Sequence, residues 1–197
     1  SGDRSIRADR LAAAFVPGPA GDPELARVDA ETAVRLRTGR GVDAEASGLS
    51  FRPEGEVAEL TGSPARILYE ADRDADPTAP VLTAEVEAPA FLLEGVDRRV
   101  LARGSGRARY TRTDPTGSLT PETGSLEWED SFYYDDRSGE GEAAGSVRAR
   151  RVPAVRPGEP VGRQTGTADL ARVALTPFPS GDAEASPDRE LWSVVLL

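Results

Sequence analysis

The chain has 197 residues, of which 38% are hydrophobic and 29% charged, and its net charge is −10. This length allows one sizeable hydrophobic core, and the acidic balance argues against a general nucleic-acid binder. The sequence contains no histidine, cysteine or lysine, which excludes a Ser/His/Asp triad, thiol or Schiff-base chemistry and zinc sites built on cysteine or histidine. No apolar run is long enough to span a bilayer. The lack of cysteine leaves cytosol and periplasm both open.

The first part of the chain alternates short extended segments with turns. Local propensity would allow a helix over residues 7–14, but we predict a strand because the same pattern recurs in strand-like surroundings. Loops rich in proline and glycine follow at residues 17–23 and 53–55, and Gly39 and Gly41 mark a turn. The predicted strands cover residues 5–11, 25–36, 42–51 and 57–69, the last broken at 62–64.

The middle of the chain continues this pattern. Residues 72–80 and 114–123 are loops by composition. A strand begins at Val81, Pro89 is expected to break it, and residues 99–111 form a return strand in which Gly104 and Gly106 mark a bulge or twist.

Residues 124–151 give the clearest strand pattern in the sequence. Leu126, Trp128, Phe132 and Tyr134 share one parity, so they point to one face of an extended chain. Asp130 interrupts that face and predicts a bend or bulge between two short strands. A polar turn at 135–139 and an alternating return strand follow. A proline-rich connection covers 153–160, the pattern restarts near 166, residues 180–188 form a loop, and an apolar strand ends the chain at 190–197.

The strand–turn–strand pattern recurs about every 40 residues, which predicts stacked supersecondary units. We expect an all-β fold and a single domain over residues 5–197. Its repeated units lie near residues 5–41, 42–70, 81–112, 124–151 and 164–197.

Four segments carry a resemblance to a known family: residues 6–11 (IRADRL), 60–67 (LTGSPARI), 100–108 (VLARGSGRA) and 126–147. They resemble the OstA-like domains of lipopolysaccharide transport, found in the periplasmic proteins LptA and LptC and the N-terminal part of LptD. The resemblance implies a β-jellyroll, a V-shaped sandwich of two antiparallel sheets. It also implies a non-enzymatic periplasmic module without cofactors, with a signal or membrane anchor upstream of Ser1.

The same resemblance implies that lipopolysaccharide or a similar amphiphile binds with its acyl chains between the sheets. The apolar and aromatic side chains on shared faces are then the candidate lipid-binding residues: Phe51, Ile67, Tyr69, Phe91, Leu93, Trp128, Phe132 and Tyr134. The alternative is a structural or interaction scaffold whose interior is a filled core without a lipid ligand. Further implied partners are homologous jellyroll domains joined by edge-strand pairing, including copies of this chain.

Charged residues leave three other interpretations open. Arginines concentrate at 98–112 and 148–151, which predicts either a solvated face of alternating charge or a site for phosphate or carboxylate groups. Asp72, Asp74 and Asp76 have the opening spacing of a calcium loop, but Pro77 follows where glycine is needed, so we predict no metal site. Carboxylates at 127, 129 and 130 are the candidates for a glycosidase pair in an enzyme.

The two ends of the chain differ as edge strands. The first predicted strand carries Arg7, Asp9 and Arg10, and these charges protect it from pairing with other chains. The last strand, residues 191–197, is apolar and includes Val194 and Val195, both strong strand formers. We therefore expect the last strand to be the one that adds a neighbour.

Overall fold

A computed structural model describes residues 5–37, 42–70, 81–95, 99–135, 138–175 and 192–196. Most of them lie in antiparallel strands, and a short 3-10 turn at Glu54–Glu56 is the one helical element of this part. No helix in the described ranges is long and apolar enough to cross a membrane. The strands are β1 (Ser5–Arg7), β2 (Arg10–Pro17), β3 (Pro23–Arg37), β4 (Val42–Arg52), β5 (Val57–Glu70), β6 (Val81–Glu94), β7 (Arg99–Arg103), β8 (Gly106–Thr113), β9 (Glu122–Trp128), β10 (Ser131–Asp135), β11 (Glu140–Val152), β12 (Gln164–Leu175) and β13 (Trp192–Leu196).

The 13 strands form one hydrogen-bonded sheet in which long strands change partner part-way along. The first half of β3 pairs with β2, and its second half pairs with β1. In the same way, β6 pairs with β8 before Pro89 and with β7 after it. Six strands (β3, β4, β5, β6, β11 and β12) therefore run through two arrays, whereas shorter strands belong to one array each.

A line of bends separates the two arrays. The register shifts on β3–β4, β4–β5, β5–β6 and β11–β12 all fall on this line. Thr32 and Ala33 have φ values of 62° and 51°, and Gly145 and Ser146 have 81° and 45°, so the backbone itself turns there. We call the array that contains β1, β8 and β9 half-sheet A, and the array that contains β2, β7, β10 and β13 half-sheet B.

One hydrophobic core joins the two half-sheets. In half-sheet A, Leu36, Ala44, Ile67 and Leu126 lie on one face, and most of the buried residues of half-sheet B belong to the same cluster. Trp128 at the end of β9 stacks on Phe132 of β10 across the bend, with ring centroids 5.0 Å apart. A single sheet cannot bury one face by itself, so the half-sheets pack face to face as the layers of a jellyroll.

The prediction of an all-β antiparallel jellyroll is confirmed. The strand preferred over a helix for residues 7–14 is confirmed for residues 10–14, which lie in β2, and the chain bends at residues 129–130, between β9 and β10, as predicted. The division into five repeated units stays a prediction. The predicted turn at 39–41 and the loops at 72–80 and 180–188 lie outside the described residues.

Several predicted strand boundaries are wrong, and the line of bends explains each one. Pro89 does not end β6, because it lies between the pairing of Ala88 with Ala65 and of Ala90 with Thr61, where the ladder is already interrupted. The predicted break at 62–64 is likewise a bend inside β5. The predicted return strand over 99–111 is two strands, β7 and β8, separated at Gly104 and Ser105.

The predicted first strand, residues 5–11, is also divided. It becomes β1 and the start of β2. After Arg10, β2 has the uncharged sequence LAAAFVP, so charge does not protect this edge as predicted.

Candidate functional site

The inner face of half-sheet B is a continuous apolar row across neighbouring strands. Antiparallel register places its members opposite one another, and each member is at most 7% exposed: Ala30, Leu49, Leu60, Phe91, Ala102, Phe132, Ala143 and Ala171. Large and small side chains alternate from Phe91 to Ala143, which allows the facing layer to interdigitate there.

The structure brings the predicted lipid-binding residues to this interior. The buried ones, at most 7% exposed, are Ile67, Phe91, Leu93, Trp128 and Phe132. Phe51 and Tyr134 are partly buried against the same core. Tyr69 is partly exposed and pairs with Val42 and Ala84 near the end of half-sheet A.

An exposed apolar patch at the β2–β3 hairpin was missed in the sequence. Leu11 is 55% exposed and Phe15 60%, and alternation places both on the same face of β2. Leu11 pairs with Ala30, so the buried row continues into these exposed side chains, and Leu25 lies opposite Phe15 with 39% exposure. We call Leu11, Phe15 and Leu25 the β2 patch. The alternation of Leu11, Ala13 and Phe15 was the signal that could have identified it.

A polar cluster on the inner face of half-sheet A was also missed. The Tyr110 hydroxyl donates to Glu122 at 2.8 Å, and Arg151 Nε donates to the same carboxylate oxygen at 3.0 Å. Tyr110 and Glu122 are each 5% exposed. Burial, followed by the hydrogen bond to the Glu122 carboxylate, raises the pKa of Tyr110 far above its ordinary value, so the phenol stays protonated and donates.

The outer face of half-sheet A carries a ladder of alternating charge. In register across seven strands it consists of Arg35, Glu45, Arg66, Glu87, Arg107, Glu127 and Arg148. Arg35 lies 3.2 Å from Glu45 and Arg66 lies 2.7 Å from Glu87, which also accepts a hydrogen bond from Arg107. For Arg35, Arg66 and Arg107, which are paired with carboxylates, the interpretation as a face of alternating charge is the one that fits.

Glu87 is the buried centre of this ladder, with 5% of its surface exposed. The hydrogen bond from Arg107 is the main reason that its pKa lies below the ordinary value, and the charge of Arg66 acts in the same direction. A lowered folded-state pKa stabilises the fold above the unfolded-state pKa, and this contribution is lost as the pH falls through the folded-state pKa.

Replacing Glu87 by glutamine should lower the free energy of unfolding at neutral pH by about 1.5–3 kcal/mol. The substitution removes the charged hydrogen bond from Arg107 and the ion pair with Arg66. Urea unfolding measured at neutral and acidic pH tests this, and the deficit should shrink once wild-type Glu87 is protonated. The matched control is Glu94→Gln, since Glu94 lies 3.9 Å from Arg99 on the exposed surface and should change stability little. A deficit independent of pH would contradict the electrostatic explanation.

The three carboxylates that were candidates for a glycosidase pair, at positions 127, 129 and 130, lie at the line of bends. Glu127 belongs to the ladder, and Glu129 and Asp130 are exposed, with backbone N–H groups that donate to Gly145 and Ala144. A groove of about 540 Å³ runs along the outer side of the bend, lined among others by Glu127 and Glu129. Within the described ranges, no group of three or more carboxylates is placed to hold a metal ion. Asp72, Asp74 and Asp76 lie outside those ranges.

The fold and the interior define the chain as an antiparallel two-layer β protein whose facing surfaces are mainly apolar, with one buried polar cluster on half-sheet A. No family model matches its sequence, and no curated protein matches it. A solved structure similar to this chain is that of LptH, the LptA homologous periplasmic component of the lipopolysaccharide transport device from Pseudomonas aeruginosa. The two share 14% sequence identity over 100% of this chain and 96% of that one, with a TM-score of 0.43. Similarity at this level does not assign the chain to a family.

Proposed function

We propose that this chain is a non-enzymatic periplasmic module that binds a lipopolysaccharide-type amphiphile, with acyl chains held between the two half-sheets. The observation that carries the proposal is the β2 patch. There the buried apolar row of half-sheet B emerges into solvent at Leu11 and Phe15, which are 55% and 60% exposed. The periplasmic location and the type of amphiphile rest on the sequence resemblance.

An acyl chain that contacts the β2 patch can follow the inner row towards the core. Phe51 on β4 is partly exposed and adjoins Val28 of β3 in register, so it is the first of the eight predicted residues on this path. To reach Phe91, Leu93 or Trp128, the acyl chain must separate side chains that pack between the half-sheets. The line of bends can act as a hinge, so that the two half-sheets move apart and these side chains separate. Each buried methylene of the ligand contributes about 0.8 kcal/mol, which offsets the cost of separating the two apolar layers.

A scaffold with a filled core is the second candidate function. The observation in its favour is burial: Phe91, Leu93 and Trp128 are at most 2% exposed. In that case the interior is only a core, and the β2 patch is a contact surface for another protein.

Trp128 distinguishes the two functions. The chain has two tryptophans, so Trp192→Phe leaves Trp128 as the sole indole. On lipid entry, the Trp128 emission should change in intensity or wavelength, with saturation, when lipopolysaccharide is added. The matched ligand is the same polysaccharide with its acyl chains removed, which should have no effect. Binding of lipopolysaccharide without any response from Trp128 would limit the lipid to the surface.

Substitutions in the β2 patch should weaken lipid binding without unfolding the protein. We expect Leu11→Gln with Phe15→Gln to reduce the affinity for lipopolysaccharide about tenfold, because two apolar side chains no longer cover the acyl chain. The matched control is Leu68→Gln with Val161→Gln, which removes exposed apolar side chains (40% and 58%) elsewhere. Equal affinity of the two double variants in a filter-binding or calorimetric titration would refute this role of the patch.

We also propose that copies of the chain join end to end through half-sheet B, whose outermost strands are β2 and β13 in the described part. An edge strand offers unpaired N–H and C=O groups, and the pairing of unlike edges is heterologous. Val194→Pro with Val195→Pro should block the β13 edge, and Ala12→Pro with Ala13→Pro should block the β2 edge. Two consecutive prolines are used because consecutive N–H groups alternate between the two sides of a strand, so one of the two removed groups points to the free side.

Light scattering tests this joint by complementation. Each blocked variant alone should be monomeric, whereas an equimolar mixture should form dimers and nothing larger, since each partner retains one free edge. Circular dichroism must show that both variants keep their β structure. A wild-type chain that stays monomeric at all concentrations, or blocked variants that associate like wild type, would exclude this joint.

A further inference from the structure

The outer face of half-sheet A departs from alternating charge on β8, β9 and β11. Alternation from the buried Leu126 and Tyr110 places Arg107 and Arg109 of β8 on this face, with Ser125 and Glu127 of β9. On β11 the outward residues include Arg148 and Arg150. Across these three strands the face carries those four arginines and a single carboxylate, Glu127, although the chain as a whole has a net charge of −10.

Within the described part of the chain, three of these arginines have no carboxylate within ion-pair distance, although the charge of Arg109 does act on Glu87. The ion pairs found there include Arg35, Arg66 and Arg107 of the ladder but none with Arg109, Arg148 or Arg150. Glu85 lies opposite Arg109 in register, yet its carboxylate is directed to Arg66, at 3.9 Å.

Register places a hydroxyl between two of these arginines. Ser125 pairs with Arg109 on one side and with Arg150 on the other, so the order across the sheet is Arg–Ser–Arg. Neighbouring strands are about 4.8 Å apart, which separates the two arginine backbones by about 10 Å. Both side chains are exposed, and Ser125 between them is half-buried. Two long guanidinium groups can therefore converge above a short hydroxyl.

We infer that Arg109, Ser125 and Arg150 form a site for a phosphate monoester, with Arg148 beside it. Guanidinium groups donate paired hydrogen bonds that match phosphate oxygens, and a serine hydroxyl donates one more. A dianionic phosphate also neutralises the surplus of positive charge on this face. The site is on the opposite side of the sheet from the apolar interior and does not depend on what that interior binds.

The phosphate can come from a soluble sugar phosphate or from a lipid headgroup, and two probes separate these sources. Glucose 6-phosphate, with glucose as its neutral counterpart, represents the soluble source. Phosphatidylcholine vesicles with and without phosphatidic acid represent the lipid. Binding is followed by the Nε–Hε nuclear magnetic resonance signals of Arg109 and Arg150, assigned from their loss in Arg109→Gln and Arg150→Gln, and by vesicle sedimentation.

We expect the monoester to shift both arginine signals in a saturable way at constant ionic strength, and Arg109→Gln with Arg150→Gln to weaken binding at least tenfold. Ser125→Ala should weaken it a fewfold and keeps both charges. The control Arg10→Gln with Arg52→Gln removes the same charge from exposed positions on half-sheet B and should bind like wild type.

Each outcome decides the inference. The site variant is Arg109→Gln with Arg150→Gln. If it loses binding of glucose 6-phosphate while the control variant keeps it, the ligand is a soluble phosphate. If it loses only the binding of phosphatidic acid vesicles, the ligand is a lipid headgroup. If the control variant weakens phosphate binding as much as the site variant does, the attraction is a general effect of charge and the site is overturned. Wild-type protein that binds neither probe would also overturn the site. Unchanged thermal unfolding of the site variant ensures that a loss of binding reports on the site. If that variant does not fold, Ser125→Ala and Arg150→Lys provide the same test.

Discussion

Replacing Phe91 by alanine should lower the free energy of unfolding by about 3–5 kcal/mol, the range found when a buried phenylalanine leaves a cavity. Phe91 is 1% exposed and lies in the inner row between Leu60 and Ala102. In a chain of this size each kcal/mol corresponds to about 2–4 °C in the melting temperature, so calorimetry and urea unfolding will both detect the change.

The matched control is Phe15→Ala, which removes the same side chain from a position that is 60% exposed. We expect less than about 1 kcal/mol there, because little apolar surface is buried. If Phe91→Ala is tolerated like Phe15→Ala, the interior around Phe91 is not packed in solution. If Phe91→Ala loses stability as expected, a saturating acyl ligand should recover part of the loss, because binding to the folded state stabilises it.

Gly124→Ala should lower the free energy of unfolding by about 2–4 kcal/mol. Gly124 lies directly opposite Tyr110, and the tyrosine ring covers it so closely that an added Cβ would overlap the ring. Tyr110 would have to move and give up its buried hydrogen bond to Glu122. The carboxylate of Glu122 would then retain only Arg151 among the partners that the described residues supply.

Gly162→Ala is the control for this substitution, because an added Cβ there meets no atom within 4 Å. Its stability should match that of wild type, whereas Gly124→Ala should unfold at lower urea concentration. Tyr110→Phe adds a second test: it keeps the ring over Gly124 and removes only the hydroxyl. A Gly124→Ala protein as stable as wild type would show that the ring does not rest on this glycine.

The sequence predicts a strand well where the inward-facing residues are all even-numbered or all odd-numbered along its whole length, that is, where the alternation keeps one phase. From Leu126 to Tyr134 the inner residues keep even numbers across the bend, so the bend at Asp130 and the shared face were both predictable. In β6 the phase changes: Val86 and Ala88 are packed inward before the bend, and Phe91 and Leu93 after it. A strand that changes phase looks like two segments in the sequence, and Pro89, from which the break is predicted, stands where the phase changes.

The candidate site was less predictable than the fold. Alternation identifies which side chains face inward, but the exposure of Leu11 and Phe15 depends on what covers β2, and this follows only from the order of strands in the sheet. The site around Ser125 likewise requires the register of β8, β9 and β11. Those strands bring together residues 109, 125 and 150, which no local pattern connects.

The six strands that pass through the line of bends also determine how the protein can open. Because the same backbone segments supply hydrogen bonds to both layers, neither layer can unfold alone without tearing strands away from the other. The protein therefore behaves as one cooperative unit rather than as two subdomains. Any widening between the layers must occur as rotation about the bends while the ladders stay intact, so amide protection within each layer persists even when the interior is accessible.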